Sequence, residues 1–414
     1  MDPAVVNAIE NGRSVNGRRW RLRDSSAYEH EDGRIATPLQ GIIAHVRGVE
    51  SESVDKLLDM RLSTHMPDPD VVTDMNVGAT ALANAIQNNS QILVFGDYDA
   101  DGATSTAIVQ RYLRMAGHTN FRTLIPNREH GYGFGDAAFE DAMSDMPDLI
   151  ILLDCGTQNQ DTIAKARALA TDVIVVDHHK PGDHLPQANA LINPHRLDEN
   201  DEALQLRTLC TAGLAFMLVV STNRILRDRG HWKVTGEPKI SELLDLVALG
   251  TVCDVMALTG LNRSFVANGL KRLDRRANVG LAALAQAAGV KEGASVTAFG
   301  FHIGPRINAG GRVGTARLGA DLLACDDPIA AKEMADTLNR CNGERQDIEK
   351  QVQEQALQSV NPSDPIIVVS GQGWHEGVIG IVAGRLKEQF GKPVIVIAER
   401  EDGIAKGSDR SITG

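Results

Sequence analysis

The chain has 414 residues, of which 43% are hydrophobic and 23% charged, enough for two or three globular domains with apolar cores. Its net charge of −12 argues against a protein that coats nucleic acid by bulk electrostatics, because neutralising phosphates takes many lysines and arginines. Five cysteines without a Cys-x-x-Cys pair indicate neither a disulfide framework nor a zinc ribbon, and the lack of a long apolar run or a signal-like start predicts a cytoplasmic protein.

Four segments follow one another along the chain. Residues 1–75 are predicted to form an N-terminal extension with short helical pieces, broken near "MPDPD". In residues 76–325, apolar runs such as "QILVF", "LIILL" and "DVIVV" alternate with helical patterns, which predicts an α/β domain with a parallel sheet and helices on both faces. Residues 326–362 are predicted to form a connector helix, and residues 363–414 a second, smaller α/β domain.

The stretch "FGDYDADGATST" places three aspartates, Asp97, Asp99 and Asp101, directly after a predicted strand. It resembles the start of an EF-hand calcium loop, but the twelfth position counted from Asp97 is Ile108, where calcium needs a glutamate, and a helix should precede the loop. Three carboxylates at the carboxyl end of a strand repel one another unless cations neutralise them. This favours a cation site, with a solvated acidic turn as the simpler alternative.

Three further segments carry residues of the metal-ligand type. Asp154 follows the predicted strand "LIILL", while Asp177, His178 and His179 follow "DVIVV", and Asp254 lies in an apolar setting in "LGTVCDVMAL". Carboxylates with imidazoles suit manganese, iron or zinc, whereas an all-oxygen set suits magnesium or calcium. Some of these residues also have a purely structural explanation. Asp154 would serve as a helix N-cap, and His178 and His179 would be one buried and one exposed residue. Their recurrence at successive strand ends favours a metal site.

Four short motifs connect these residues to a known family. "GDYDADG", "LDCGT", "DHHKPG" and "GTVCDV" occur in the order of the motifs of the DHH phosphoesterase superfamily, and the resemblance runs from about residue 40 to the end. The form of the first motif, with "GWHEGVIGIVAGR" near the C-terminus, is similar to the branch of bacterial single-strand-specific 5′→3′ DNA exonucleases. This resemblance implies release of 5′-mononucleotides in recombination and repair, with single-stranded DNA, a single-strand-binding protein and a helicase as partners. It also implies that the second, DHH-associated domain is truncated.

The resemblance further implies a centre of two manganese (or magnesium) ions. Asp154 would bridge the ions, His179 would face the scissile phosphate, and Asp177 would orient the neighbouring histidine. Some relatives carry a histidine where this chain has Phe95, so weaker binding of one ion is expected. The implied metal ligands are Asp97, Asp99, Asp101, Asp154, His178 and Asp254.

Two glycine-rich segments, "IPNREHGYGFG" and "HIGPRINAGGRVG", are predicted to be loops whose backbone approaches phosphates, although their glycines would serve ordinary turns equally well. Trp374 is expected in the core. In the resemblance, Arg128 with Ser408 and Arg410 matches a pocket for a 5′-terminal phosphate, and His375 matches a contact to the DNA backbone. The full set of implied substrate-binding residues is Arg128, Tyr132, His302, Asn308, Arg312, His375, Ser408 and Arg410.

Two other functions remain open from the sequence. One is a DHH-type phosphodiesterase that acts on nanoRNA or cyclic dinucleotides, against which stand the "DYDADG" form of the first motif and the long helical additions. The other is a non-catalytic replication scaffold of the same fold, against which stands the presence of all the expected acids and both histidines.

Overall fold

The computed structural model of the chain describes residue 12 and residues 38–49, 54–127, 131, 133–291 and 293–412. It divides into two compact units, and the first comprises residues 1–66 with 259–264. In the described part of this unit, Ala44 and Val54 are buried and form a small apolar cluster. The second unit comprises all other residues and contains every site residue discussed below.

Strands and helices alternate between residues 92 and 192 and again between 367 and 410, whereas the described residues between these two segments form helices and no strand. The α-helices, α1 to α15, are Pro38–Val46, Val54–Leu58, Leu62–His65, Met75–Gln87, Ala100–Met115, Asp136–Ala142, Gln160–Ala168, Thr211–Asp228, Leu244–Cys253, Gly260–Asp274, Val279–Ala287, Gly304–Val313, Leu318–Leu323, Pro328–Ser359 and Glu376–Phe390. The strands, β1 to β8, are Ile92–Gly96, Phe121–Leu124, Leu149–Leu153, Asp172–Val176, Ala190–Ile192, Ile367–Gln372, Val394–Glu399 and Ala405–Arg410. Within the described residues no helix is both long and apolar enough to cross a membrane.

The first five strands form one sheet in the order β2-β1-β3-β4-β5, and every neighbouring pair is parallel. The predicted parallel sheet is therefore confirmed. Strands β1 and β3 are buried along their whole length, which explains their continuous apolar sequences. Strand β5 has only three residues, too few for a periodic pattern, and the sequence did not reveal it.

Helices cover both faces of this sheet. On one face, Phe95 and Leu152 belong to an apolar cluster with Ala138 of α6 and Ile163 of α7. On the other face α4 lies so close that a Cβ on its Gly78 would come within 2.9 Å of the Cδ1 atom of Ile192. The predicted α/β fold class is confirmed.

The register of the sheet brings three strand ends side by side. Gly96 at the end of β1 pairs with Leu153, and Leu153 pairs with Val176 at the end of β4. The residues that follow each strand thus leave the sheet at one edge. This placement explains how acids far apart in the sequence can meet.

A smaller sheet follows the 32-residue helix α14. Strand β6 pairs with β7 in parallel and β7 pairs with β8 in the antiparallel sense, while α15 buries Val378, Val382 and Leu386 in the core of this region. Trp374 is also buried there, as expected. The domain boundaries at residues 75, 325 and 362 remain predictions.

The second glycine-rich segment is helical, so the predicted loop is wrong. His302 lies in a π-helical stretch, Ala298–Ile303, and α12 then contains Asn308 and Arg312. The glycines serve close packing rather than turns: a Cβ on Gly311 would lie 2.4 Å from the carbonyl oxygen of Tyr98. A glycine in a helix can thus be required by a neighbouring backbone and not by its own torsion angles.

Candidate active site

The acidic turn after β1 is held by its own backbone. Asp99 is the N-cap of α5, and its Oδ1 atom accepts hydrogen bonds from the N–H groups of Asp101 (2.9 Å) and Gly102 (3.0 Å). A Cβ on Gly102 would lie 2.4 Å from the carbonyl oxygen of Asp97, so only glycine fits there. The side chain of Asp97 is 2% exposed. The turn therefore presents its carboxylates in one fixed arrangement.

Asp101 contacts the first turn of α8. Its two carboxylate oxygens accept hydrogen bonds from the backbone N–H groups of Thr211 (2.7 Å to Oδ2) and Ala212 (2.9 Å to Oδ1). These N–H groups have no partner within the helix, and the helix dipole favours an anion at this end. Asp101 thereby links the acidic turn to α8.

Asp154 lies directly after β3 in a left-handed backbone conformation, with φ +64°. Its N–H group donates to the carbonyl of Val176, and its Oδ1 atom accepts a hydrogen bond from the Thr211 hydroxyl at 2.9 Å. The next helix, α7, has Asn159 as its N-cap, so Asp154 is not a helix cap. Aspartate is one of the few non-glycine residues that adopt this conformation readily, which lets the chain turn sharply as it leaves β3.

His178 and His179 lie beyond β4 with ring centroids 4.7 Å apart. The Nε2 atom of His178 is 3.4 Å from a carboxylate oxygen of Asp154 and 3.4 Å from one of Asp254. The His178 side chain is 11% exposed, whereas that of His179 is 45% exposed. The two histidines thus differ in exposure, but both turn towards the acids.

Asp177 orients the second of these histidines. Its Oδ1 atom accepts hydrogen bonds from Nδ1 of His179 at 2.8 Å and from the backbone N–H of His178 at 2.8 Å. Because a carboxylate can only accept, Nδ1 carries the proton. This hydrogen bond raises the pKa of His179 to about 9. Burial alone would raise the pKa of Asp177, but the hydrogen bonds from His179 and Thr157 hold it below its usual value.

Three overlapping groups of side chains could each hold a metal ion. Within each group the ligand atoms lie within 4.8 Å of one another. Asp154 belongs to two of the groups, and His178 also belongs to two. The groups are Asp97 with Asp99 and Asp154, Asp101 with His178 and Asp254, and Asp154 with His178 and His179. All seven predicted catalytic residues are therefore brought together at one edge of the sheet.

The crowding of these acids is electrostatically unfavourable without a cation. Burial, and then the negative charges of Asp101 and its neighbours, raise the pKa of Asp154 well above the usual range. The same two causes raise the pKa of Asp254 to about 8. In addition, Oδ2 of Asp254 is buried and accepts no hydrogen bond from any residue that the structure describes. Divalent cations would relieve this repulsion, so the donor set fits them.

Phe95 takes no part in this arrangement. Its side chain is 0% exposed and packs edge-on against Phe134, with ring centroids 5.2 Å apart. Its position therefore belongs to the core, and Asp97 supplies a carboxylate at the site instead. The weaker binding of one ion stays a prediction.

A cavity of about 960 Å³ lies beside the acidic turn, between α12 and the second sheet. Tyr98 and Arg312 line it on one side, and His375, Arg400 and Lys406 line it on the other. Glu376 forms ion pairs across its wall, at 2.7 Å from Lys406 and 3.5 Å from Arg400. The cavity is large enough for several nucleotides, and its described lining mixes both signs of charge.

The predicted substrate-binding residues fall into three sets. Arg312 and His375 line the cavity. Asn308, Ser408 and Arg410 are outside its lining, and His302 is exposed on the π-helical stretch. Arg128 and Tyr132 lie outside the described residues.

Several of these residues have structural partners. The Asn308 side chain accepts a hydrogen bond from the N–H of Ala100 at 2.9 Å, which ties α12 to the acidic turn. Arg312 donates to the carbonyl of Gly377 at 2.7 Å, and His375 caps α15 by accepting from the N–H of the same glycine at 3.0 Å. Ser408 and Arg410 both approach α15, because a Cβ on its Gly380 would lie 3.0 Å and 3.2 Å from them.

Two residues that contact the site were missed from the sequence. Thr211 holds two of the acids, and Asn193 donates to the Thr157 hydroxyl (2.9 Å) and to the carbonyl of His179 (2.8 Å). A threonine at the start of a predicted helix suggests an ordinary cap. Only the fold shows that its partners are Asp101 and Asp154.

Comparison with known proteins gives two family matches. Residues 91–251 match the model of the DHH family, N-terminal domain, and residues 363–414 match the DHHA1 domain. A single-stranded-DNA-specific exonuclease RecJ from Dickeya dadantii is 39% identical over 346 residues, covering 80% of this chain. The single-stranded-DNA-specific exonuclease RecJ from Thermus thermophilus is 35% identical over 335 residues, covering 81% of this chain. The chain spans 59% and 47% of the lengths of these relatives.

Solved structures agree in fold. A crystal structure of exonuclease RecJ bound to manganese superposes with a TM-score of 0.72 and 33% identity, covering 83% of each chain. The structure of RecJ in complex with Mn²⁺ from Thermus thermophilus gives a TM-score of 0.74 at 30% identity, covering 91% of this chain and 52% of the other.

Proposed function

The chain belongs to the RecJ family of DHH proteins, and from this premise we propose that it is a divalent-metal-dependent exonuclease that hydrolyses single-stranded DNA. The proposed direction is 5′→3′ and the proposed products are 5′-mononucleotides. The proposed cofactors are two manganese (or magnesium) ions, because relatives of the same fold bind these ions.

One observation carries this proposal: Asp154 is common to two groups of potential ligands, one with the two histidines and one with Asp97 and Asp99. A two-ion site needs a carboxylate within reach of both ions, which lie roughly 4 Å apart in such enzymes. Two observations support Asp154 for this place: its Oδ1 atom lies 3.4 Å from Nε2 of His178, and its carboxylate also groups with Asp97 and Asp99 of the acidic turn. We therefore assign it as the bridging ligand.

Bound ions would supply a more acidic attacking water and neutralise charge that develops on the phosphate. The chain's own residues arrange the reactants. Asp177 fixes the ring of His179 through Nδ1, and because this contact raises the pKa of His179 to about 9, the protonated ring can also donate its Nε2–H group to a phosphate oxygen. The ring is nearly half exposed, as a group that meets substrate must be.

The cavity supports a polymeric substrate. It extends from Tyr98 beside the metal ligands to Lys406 on the second sheet, a continuous space in which a strand would lie along the site. Few aromatic side chains line its described part, which fits a protein that follows the backbone and reads no base sequence. Arg312, His375 and Lys406 are the proposed backbone contacts.

The end polarity is proposed to come from a pocket for the 5′-phosphate. Ser408 and Arg410 approach the same point of α15, at Gly380, and would form one side of this pocket. Arg128, the third proposed member, lies outside the described residues. An anchored terminal phosphate would fix the first linkage over the metal centre. His302, Asn308 and Tyr132 remain proposed substrate neighbours.

A direct assay tests the proposal. The protein is incubated with Mn²⁺ and long single strands labelled at either end, and in parallel with dinucleotides and cyclic dinucleotides. We expect labelled mononucleotide at once from the 5′-labelled strand and only late from the 3′-labelled one, with no product in EDTA. A preference for dinucleotides would instead support the small-substrate phosphodiesterase, and no hydrolysis with any substrate would support a non-catalytic scaffold.

Protein partners and compartment are proposed from the family resemblance alone. A single-strand-binding protein and a helicase are the proposed partners, and the cytoplasm is the proposed location. Co-purification of tagged protein with each partner, with and without nuclease treatment, tests the first of these.

A further inference from the structure

We propose that Thr211 is a positioning residue for the metal centre: the hydroxyl group at the start of α8 fixes the carboxylate of Asp154 so that it can serve two ions at once. This inference rests on the proposed function and deepens it. Thr211 itself would touch neither ion nor substrate.

The contact is short and fully enclosed. The hydroxyl of Thr211 donates to Oδ1 of Asp154 at 2.9 Å, and the two side chains are 0% and 2% exposed. The same oxygen lies 3.4 Å from Nε2 of His178 and 3.9 Å from Nδ1 of His179. The threonine therefore donates its hydrogen bond to the carboxylate oxygen of Asp154 that lies nearest the two histidines.

The loop that carries Asp154 needs such a restraint. Asp154 and Gly156 both have positive φ angles, +64° and +107°, so the chain leaves β3 in a conformation that regular structure does not impose. The backbone N–H of Asp154 is fixed by Val176, but this bond leaves the side-chain torsions undetermined. A hydrogen bond to the carboxylate selects one of its rotamers.

Thr211 also connects Asp154 with a second acid. Its backbone N–H donates to Oδ2 of Asp101 at 2.7 Å, so one residue contacts acids that follow two different strands. Asp101 and Asp154 belong to different ligand groups, so Thr211 links the carboxylates of two groups. The start of α8 thus holds Asp101 and Asp154 in a fixed position relative to each other.

A simpler explanation is that the buried hydroxyl group of Thr211 only needs a hydrogen-bond acceptor, and that any acceptor would do. The same helix provides a control for that explanation: Thr222 is also 0% exposed, and its hydroxyl donates to the backbone carbonyl of Leu218 at 2.8 Å. Both residues are threonines on α8 with the same burial. They differ in the partner, which is a carboxylate for one and a helix carbonyl for the other.

The test compares Thr211→Val, Thr211→Ser and Thr222→Val with the wild-type chain. Valine removes the hydroxyl but keeps the branched shape and the backbone N–H that holds Asp101, while serine keeps the hydroxyl. Mn²⁺ binding to EDTA-treated protein is measured by titration calorimetry, together with the unfolding temperature in EDTA. Loss of an outer partner of a ligand typically weakens metal binding by roughly 10- to 100-fold, and we expect this for Thr211→Val only.

The outcomes distinguish the positioning role of Thr211 from the proposed function of the chain. Wild-type affinity in Thr211→Val, or an equal loss in both valine variants, would overturn the positioning role. A wild-type chain that binds no Mn²⁺ would overturn the proposed function as well. If Thr211→Val does not fold, Thr211→Ala in the same titration decides, with Thr211→Ser expected to restore binding.

Discussion

The charged residues of the two sheets lie in opposite surroundings. At the edge of the first sheet, Asp97, Asp101 and Asp154 are each 2% exposed and approach other acids. On the second sheet and its helix, Lys406 and Glu376 have side chains that are 45% and 32% exposed, and they pair with each other. The first set is buried with like charges, and the second is half exposed with opposite charges.

This difference matches two different tasks. Buried like charges are unfavourable in the protein alone and become favourable only when cations bind, so the first region is prepared for a tightly held ion. Exposed opposite charges attract one another weakly in water, so a phosphate can replace the carboxylate partner at little cost. If this contrast is correct, substitutions among the buried acids should have the largest effects and substitutions of the exposed ion pair the smallest.

Asp154→Asn should remove hydrolysis while making the metal-free protein more stable. Asparagine keeps the shape, tolerates the left-handed backbone and still accepts from Thr211, but it removes one of the mutually repelling charges. We expect activity to fall by far more than the roughly 10- to 100-fold cost of losing an outer partner of a ligand. The unfolding temperature in EDTA should rise.

Asp161→Asn is the matched control, because Asp161 is an exposed aspartate at the start of the next helix, α7. It should change neither quantity. Retention of activity in Asp154→Asn would contradict the bridging role, and a lower unfolding temperature in EDTA would contradict the view that the acids repel one another.

Asp245→Asn tests how burial of a carboxylate alone lowers the stability of the fold, because Asp245 belongs to none of the three groups of potential metal ligands. Asp245 is the second residue of α9 and is 0% exposed, with its Oδ2 atom 3.8 Å from Nε of Arg272. Burial raises its pKa to about 6, although Arg272 acts in the opposite direction. Between its ordinary pKa of 3.8 and about 6 the folded state binds more protons than the unfolded state, so stability falls as the pH rises through this window.

The loss amounts to about 3 kcal/mol above that window, at roughly 1.4 kcal/mol per pH unit. Asparagine does not titrate, so the unfolding temperature of Asp245→Asn relative to wild type should be higher at about pH 7.5 than at about pH 4.5. Thermal unfolding in EDTA at the two pH values measures this. A difference that does not depend on pH would show that Asp245 is not strained by burial.

Gly311→Ala and Gly384→Ala compare two helical glycines, one beside each region. A Cβ on Gly311 would lie 2.4 Å from the backbone of Tyr98 in the acidic turn, whereas a Cβ on Gly384 of α15 would meet nothing within 4 Å. Displacing the turn by about 1 Å can cost up to about a hundredfold in rate, so we expect a marked loss of activity in the first variant. The second should gain about 0.5–1 kcal/mol of stability at unchanged activity. Equal activity in both variants would show that the turn does not depend on α12.

This pair of glycines also shows what the sequence could and could not predict. The strands β1, β3 and β4 were predictable because a buried parallel strand has a continuous apolar sequence, and the acids after them followed from the rule that ligands bind at strand ends. Gly311 was misread as part of a loop because its neighbour, Tyr98, is more than two hundred residues away. No local pattern records such a contact.

Thr211 and Asn308 illustrate the same limit for the site. The ligand types were recognisable from their chemistry and from family motifs, but the residues that hold them act through partners on other elements: Thr211 through Asp154, and Asn308 through Ala100. Their side chains are common in caps and turns, so their sequence context indicated nothing more. Such roles follow from packing, which depends on the whole fold.

Lys406→Ala and Glu376→Gln should produce the smallest effects, with opposite signs. If a phosphate replaces Glu376 as the partner of Lys406, removing the lysine should weaken binding of single-stranded DNA. The slope of the logarithm of affinity against the logarithm of salt concentration should then become shallower by about one. Removing the charge of Glu376 should strengthen binding, because the lysine no longer has a competing partner. Lys332→Ala is the control, since Lys332 pairs with Asp336 at 2.6 Å on the exposed face of α14, away from the cavity lining. Fluorescence anisotropy over a series of salt concentrations measures all three. Equal losses in Lys406→Ala and Lys332→Ala would mean that net charge alone governs binding. A loss in Lys406→Ala larger than that in Lys332→Ala, together with a gain in Glu376→Gln, would support exchange of the carboxylate partner for a DNA phosphate.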